Sequence, residues 1–343
     1  MNDIDVRAHT NQRVLQAIMT AAMLAAAGAG HAQTLGMQPA VAQPQGINLG
    51  GTTFVDGFSR MSPGWTYLGT LRYANGDAIK DGGGANVPVF NDPGMKVTTQ
   101  VNHFSYTSPI NVMGAALGFN VLLPVVSIDT HFGQPGAALQ GSGTSLGDIT
   151  LGPSLQFKPV MGPRGPVFVQ RLELDVLLPT GKYDEQRDVN QGAGFYSINP
   201  YWAATWFPAG GWEVSWRLHY LYNFRNDKPA SSAPLAFQGM PVRDTQAGRA
   251  AWINFTTSYA IAPGIRAGLN SYYFKQVSDN EINRVSIGNS REQVFGVGPG
   301  MVFEVARDGG KRDSLWINTF TESKVRNRTR NSWILQARYA YEF

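Results

Sequence analysis

Period-two alternation at the end of the chain constrains the fold more than any other feature. From Trp333 to Phe343 every second residue is apolar or aromatic: Trp333, Leu335, Ala337, Tyr339, Tyr341 and Phe343. Ser332, Gln336, Arg338 and Glu342 lie between them, with Ile334 and Ala340 as apolar exceptions. Such alternation makes a β-strand with two unlike faces. The alternative is an edge strand of a soluble sheet, which would leave an aromatic row on an open, aggregation-prone edge.

The pattern is sharpest at 212–225. Trp212, Val214, Trp216, Leu218, Tyr220, Tyr222 and Phe224 share one face, and Glu213, Ser215, Arg217, His219, Asn223 and Arg225 share the other. Aromatics at both ends of the apolar face suit the two interfacial girdles of a membrane barrel. At 167–178, Phe168, Leu172, Leu174, Val176 and Leu178 oppose Arg171, Glu173 and Asp175. At 146–158, Ile149, Leu151, Leu155 and Phe157 oppose Asp148, Thr150, Ser154, Gln156 and Lys158. About twelve such stretches recur, at 65–74, 95–107, 114–125, 146–158, 167–178, 194–207, 212–225, 249–260, 265–277, 293–305, 314–325 and 330–343. Those at 95–107, 293–305 and 314–325 do not assign their faces.

The connections alternate in length. Those at 75–94, 126–145, 179–193, 226–248 and 278–292 are long, whereas 108–113, 159–166, 208–211, 261–264 and 306–313 are short. Only 326–329 breaks the parity. Long loops on one side and short turns on the other characterise single-chain outer-membrane barrels. The expected fold is therefore all-β, a transmembrane antiparallel up-and-down barrel of about twelve strands over 65–343.

Composition agrees. Glycine is abundant at 39 residues, aromatics make up 11% and charged residues only 15%. Mean hydropathy is −0.19, as expected when each spanning strand is half polar. Beyond the N-terminus no apolar run is long enough for a spanning helix, and the best, 114–126, is interrupted by Asn120 and Pro124. A formal charge of +4 argues against a nucleic-acid partner, which would need a concentrated basic face. There is no cysteine, hence no disulfide framework or thiolate metal site.

Residues 1–32 read as a secretory signal peptide: Arg7 and Arg13 precede an alanine-rich apolar stretch at 14–29, and Gly30, His31 and Ala32 place cleavage before Gln33. Residues 33–64 are rich in Gly, Pro, Gln and Ala and form an extended lead. Within it 46–63, carrying Phe54, Phe58 and Met61, is a candidate plug for the barrel.

The expected lumen collects Lys158, Arg171, Glu173, Asp175, Glu213, Arg217, His219, Arg225, Arg266, Arg338 and Glu342. These charges either pair across strands to hold the wall or form a constriction that filters solutes. Trp252, Tyr272 and Phe274 face inward beside Asn254, Asn270 and Gln276. Apolar walls with a few placed polar groups suit a weakly polar ligand, although the rings could equally fill space beside the lead segment. The candidate substrate path is Arg171, Glu173, Asp175, Arg217, His219, Trp252, Asn254, Arg266, Tyr272, Phe274 and Arg338. A barrel lipid hydrolase would need a nucleophile and histidine on the lipid-facing wall. His103 and Ser105 are two residues apart on one face, too far for direct activation. No metal pattern is evident. The expectation is no catalytic residue, no metal and no cofactor.

Two resemblances follow. The strand ending in Tyr339, Tyr341 and Phe343 resembles the C-terminal signal of bacterial outer-membrane barrels, which implies recognition by the barrel-assembly machinery. GDITLGP at 147–153, LDVLLPTGKYD at 174–184, NQGAGFYSINP at 190–200, YFKQVSDN at 273–280 and GVGPGM at 296–301 together resemble the outer-membrane family named for the meta-cleavage pathway of phenol degradation. That resemblance implies a Gram-negative outer-membrane barrel, porin-like in form, for uptake of small hydrophobic, aromatic compounds. A general porin or a structural barrel without specific substrate is the alternative, and a barrel lipid hydrolase a more distant one. The partners this gives are outer-membrane lipid and a small hydrophobic solute; the charged loop Lys182, Asp184, Glu185, Arg187, Asp188 is either simply solvated or, at the outer face, pairs with lipopolysaccharide phosphates. Deleting Phe343 is expected to lower the heat-modifiable folded form in outer-membrane fractions; a normal folded yield would overturn the assembly reading.

Overall fold

A computed structural model describes residues 41–132, 141–230, 232–308 and 311–343; the expected signal peptide lies outside them. The strands are β1 (Gly64–Lys80), β2 (Gly94–Val112), β3 (Ala115–His131), β4 (Gly143–Leu146), β5 (Thr150–Phe157), β6 (Val160–Gly162), β7 (Gly165–Leu177), β8 (Ser197–Trp206) and β9 (Trp212–Asn223). They continue with β10 (Thr245–Gln246), β11 (Ala250–Ala262), β12 (Ile265–Gln276), β13 (Asn280–Ile282), β14 (Val285–Ile287), β15 (Gln293–Ala306), β16 (Arg312–Arg326) and β17 (Arg328–Glu342). Counting β4 with β5 as one crossing, β1, β2, β3, β5, β7, β8, β9, β11, β12, β15, β16 and β17 form a closed antiparallel twelve-stranded barrel. The seam is β1 against β17, from Thr66 opposite Glu342 to Lys80 opposite Arg328. Closure leaves no edge, which a sheet in lipid requires.

One rim carries short turns. Met113 and Gly114, both at positive φ, join β2 to β3 in a two-residue turn whose twist suits a hairpin. The opposite rim carries the long loops. There β10, β13 and β14 form a separate three-stranded sheet, and a short helix spans Ala233–Ala236.

Side-chain exposure follows the alternation. Along β9, Trp212 is 51% exposed and Leu218 42%, whereas Glu213 and Ser215 are fully buried and Arg217 is 4% exposed. Along β7, Leu172 and Leu174 are exposed and Arg171 and Glu173 buried. The apolar rows therefore coat the outside and the polar rows face in.

β2 and β3 run past their expected ends at 107 and 125, to Val112 and His131, and four further departures from the sequence pattern bear on the site. First, β1 runs on to Lys80, past the expected end at Ala74; bulges at Asn75 and Gly76 carry it, because β17 supplies pairing that this Gly- and Asp-containing stretch lacks in propensity. Second, the stretch expected at 146–158 breaks into β4 and β5 around Asp148. Third, β5 ends at Phe157 and β9 at Asn223, so Lys158 and Arg225 lie beyond the wall. Arg225 pairs instead with Asp244 at 2.8 Å and with Glu281, tying long loops together. Fourth, the 95–102 part of β2 is reversed in character, before Phe104 and Tyr106 restore aromatics to the outer face. Met95, Val97 and Val101 line the lumen, whereas the outward positions hold Lys96, Thr98, Gln100 and Asn102.

Replacing Leu218 by Arg is expected to cost about 2–4 kcal/mol, the penalty for a guanidinium on the lipid face at mid-depth. The check is the folded fraction on heat-modifiability gels, with Leu218→Ile as control; equal yields would mean that the faces are exchanged.

Candidate functional site

An irregular chain without a ladder must find partners for every N–H and C=O it buries. Residues 41–60 are such a chain, and the inner wall supplies the partners. Gln43 Nε2 donates to Gly248 O at 2.8 Å and to Gln276 Oε1 at 3.0 Å, near the long-loop rim. Further along, Gly50 N donates to Asn254 Oδ1 at 2.9 Å, and Asn254 Nδ2 to Asn48 O at 2.8 Å. Gln336 Nε2 donates to Gly50 O at 3.2 Å and Arg338 Nη1 to Gly51 O at 3.2 Å. Val55 N donates to Glu213 Oε1 at 2.9 Å and Gly57 N to Thr205 Oγ1 at 2.7 Å. At the short-turn rim Arg60 Nη1 reaches Phe343 O at 3.0 Å. The segment thus runs the length of the lumen before β1 begins.

Its seat is built for close approach. A Cβ on Gly57 would lie 2.5 Å from Thr205 N and 2.7 Å from Val169 O. The atoms it would meet are main-chain atoms of Val169, Ala204 and Thr205, so backbone lies directly on backbone.

Charge locks the middle. Asp56 takes both Arg217 nitrogens, Nη2 at 2.6 Å and Nε, and lies 3.9 Å from Arg338 Nη1. Arg171 pairs with Glu173 and donates to Asp56 O at 3.2 Å and Phe58 O at 3.1 Å. Glu173 Oε2 accepts from Asn120 Nδ2 at 3.1 Å, and Asn120 Oδ1 lies 2.9 Å from His103 Nε2. One network therefore joins β2, β3, β7 and β9 to the segment.

Wall and segment leave between them a cavity of about 820 Å³. Its outer side is the inner face of β1, β2 and β3, with Leu68, Val97, Val101 and Leu122 interspersed with Thr66, Thr70 and Thr99. Of these lining positions Val97, Thr99 and Val101 belong to a stretch, 95–107, whose faces the sequence pattern left unassigned. Reversed alternation along β2 was the available signal.

The sequence candidates divide accordingly. Arg171, Glu173, Asp175, Arg217, Arg266 and Arg338 line the cavity. His219, Trp252, Asn254, Tyr272 and Phe274 are buried behind the segment. The His219 and Trp252 rings stack at 4.2 Å and 7°, and Trp252, Tyr272 and Phe274 pack with Leu49 and Ile47. These rings hold the segment and leave the open space to β1–β3. Arg266 donates to Ser258 Oγ at 3.0 Å and Gly211 O at 2.7 Å, near the short-turn rim. Outside the lumen, Tyr339 and Phe343 are 41% and 55% exposed on the barrel's outer face.

The motif residues converge at the other rim. Asp148 accepts from Gly181 N at 2.9 Å and Ala193 N at 2.7 Å. Ile149 N donates to Thr180 Oγ1 at 2.9 Å. A Cβ on Gly181 would lie 2.8 Å from Gly192 Cα. The three stretches 147–153, 174–184 and 190–200 thus form one tight joint between the break in the β4–β5 crossing and the loop after β7. Burial pushes the Asp148 carboxyl up, against the two N–H donors that favour its ionised form.

The outer-membrane channel of the COG4313 group from Pseudomonas putida F1 is 15% identical, covering 85% of this chain and 100% of its own, with a TM-score of 0.69. The β domain of a Bordetella autotransporter is 13% identical over 82% of this chain and 100% of its own, with a TM-score of 0.43. No curated protein matches the chain. A family model described as "Putative MetA-pathway of phenol degradation" matches residues 76–339, more than half of the chain, and the chain belongs to that family.

Proposed function

We propose that this outer-membrane barrel takes up small hydrophobic, aromatic compounds through the space between residues 41–60 and the β1–β3 wall. The observation that carries the reading is the reversed β2. An apolar row on the lumen side of a membrane strand gains nothing from lipid, and in a purely aqueous pore it gains nothing from water. Leu68, Val97, Val101 and Leu122, broken by threonine hydroxyls, give a weakly polar solute contact area and a few hydrogen bonds. Family membership supports the same direction, since the family's description concerns phenol degradation. Passage needs no covalent chemistry, and His103 spends Nε2 on Asn120 in the lumen.

In this reading residues 41–60 act as an internal plug that narrows the lumen to the substrate path. The chain is exported by a signal peptide cleaved near Ala32, Tyr339, Tyr341 and Phe343 guide the barrel-assembly machinery, and the loop at 182–188 meets lipopolysaccharide.

A deletion strain is expected to grow slowly on limiting aromatic carbon sources and normally on succinate, and the wild-type gene is expected to restore growth. A Leu122→Trp version, which fills the path, should restore it only weakly at equal barrel abundance. Full restoration by Leu122→Trp, or equal growth of deletion and parent on every aromatic source, would favour a general porin or a structural barrel. Replacing Asp56 by Ala leaves Arg217 and Arg338 facing an empty seat; losing one partner of a buried pair costs about 3–5 kcal/mol. Ion conductance in planar bilayers is expected to rise as the plug leaves, and unchanged conductance would sink the plug reading.

A further inference from the structure

Arginines in this lumen are mostly spoken for. Arg171 has Glu173, Arg217 has Asp56, and Arg328 has Glu292 at 3.5 Å. Arg72 differs. It stands at the middle of β1 and lines the cavity. Its Nε is buried without a hydrogen-bond partner, and no carboxylate lies within 4.0 Å of its nitrogens among the described residues.

The register explains why no carboxylate meets it. The positions directly opposite are Thr99 on β2 and Gln336 on β17, both neutral. The diagonal neighbours are Val97 and Val101 on one side and Ile334 and Arg338 on the other, all within reach of a long side chain. None is acidic, and the one charge among them is a second cation. Glu322 on β16 is occupied: its oxygens accept from Tyr272 Oη at 2.6 Å and from Asn331 N and Nδ2 at 2.6 and 2.9 Å. The middle of this wall is thus a guanidinium without a carboxylate partner, flanked by Val97, Val101 and Ile334 and by the neutral polar Thr99 and Gln336.

We propose that Arg72 is an anion-selecting residue, and that the preferred permeants are small aromatic acids, carboxylates or phenolates. The inference rests on the uptake reading above and narrows it. A guanidinium stays charged at any relevant pH and presents a planar fork that matches a carboxylate. A neutral hydrocarbon beside it strips water from the charge and returns nothing. An aromatic acid replaces that water with an ion pair while its ring lies on Val97 and Val101. Positive groups lining a pore select anions by the same logic.

The test uses the whole purified barrel in planar bilayers, with sodium benzoate or benzamide added to sodium chloride. In the wild type, benzoate is expected to block chloride current at about tenfold lower concentration than its neutral isostere benzamide, the size of one charge-assisted hydrogen bond. Arg72→Gln is expected to abolish that preference and leave benzamide block unchanged, whereas Arg72→Lys keeps most of it. The wild-type comparison stands even if Arg72→Gln folds poorly. Equal block by benzoate and benzamide in the wild type, or a preference surviving Arg72→Gln, overturns the role of Arg72 and leaves aromatic uptake intact. Absence of block by either solute overturns both.

Discussion

The structure depends on one requirement: a stretch of irregular backbone crosses the inside of a membrane barrel without pairing as a strand. Irregular backbone at membrane depth is tolerated only where protein or a water-filled cavity satisfies it. Here the wall satisfies it with Asn254, Gln336, Glu213 and Thr205, each bonded to an N–H or C=O of residues 41–60. Those short polar side chains cannot be exchanged for apolar ones without orphaning backbone, which accounts for the amide- and hydroxyl-rich inner face of β8, β9, β11 and β17.

The same requirement divides the lumen. The inner face from β8 through β12 mostly holds the segment, and its rings and amides are packed to near-zero exposure. β1 to β3 supply the apolar part of the cavity wall, and Arg171, Glu173, Asp175, Arg217 and Arg338 supply its charged part. Support and passage are thus assigned to different parts of the wall, and the Asp56–Arg217 pair is the boundary between them. The pair has both partners almost fully buried, and such a pair specifies a position more than it adds stability.

Much of this was legible in the sequence where lipid enforces it. An outward face must be apolar, so the register of β7 and β9 could be read from alternation alone, and loop parity followed from the rims. Legibility ended where the inside sets the rules. Trp252, Tyr272 and Phe274 point inward as alternation requires, but alternation does not say whether an inward ring meets a solute or another part of the chain. That depended on Ile47 and Leu49, residues without periodicity that pack on those rings only in three dimensions. β2 defeated assignment because its polar side faces outward, against the rule being applied. The glycines at 181 and 192 belonged to recognisable motifs, but their purpose, a joint too close for side chains, appears only when the two loops meet over Asp148.

The path of residues 41–60 has a topological consequence. They enter at the rim of long loops, descend the lumen, and emerge at the opposite rim to become β1, the strand that closes the ring against β17. Arg60 reaches from the end of that path to the main chain of Phe343, so the thread and the seam share an anchor. A ring that encircles its own lead-in has an order of events written into it. Either the lead lies across the curling sheet before first and last strands meet, or a stretch as long as the barrel must afterwards be drawn through a closed lumen and seated on its wall. The first route requires that long-range contacts with β8 and β9, such as Gly57 with Thr205 and Asp56 with Arg217, form before the seam closes. The final zip of β1 onto β17 then acts as a clasp, and the seam of the cylinder is also the lock on its contents.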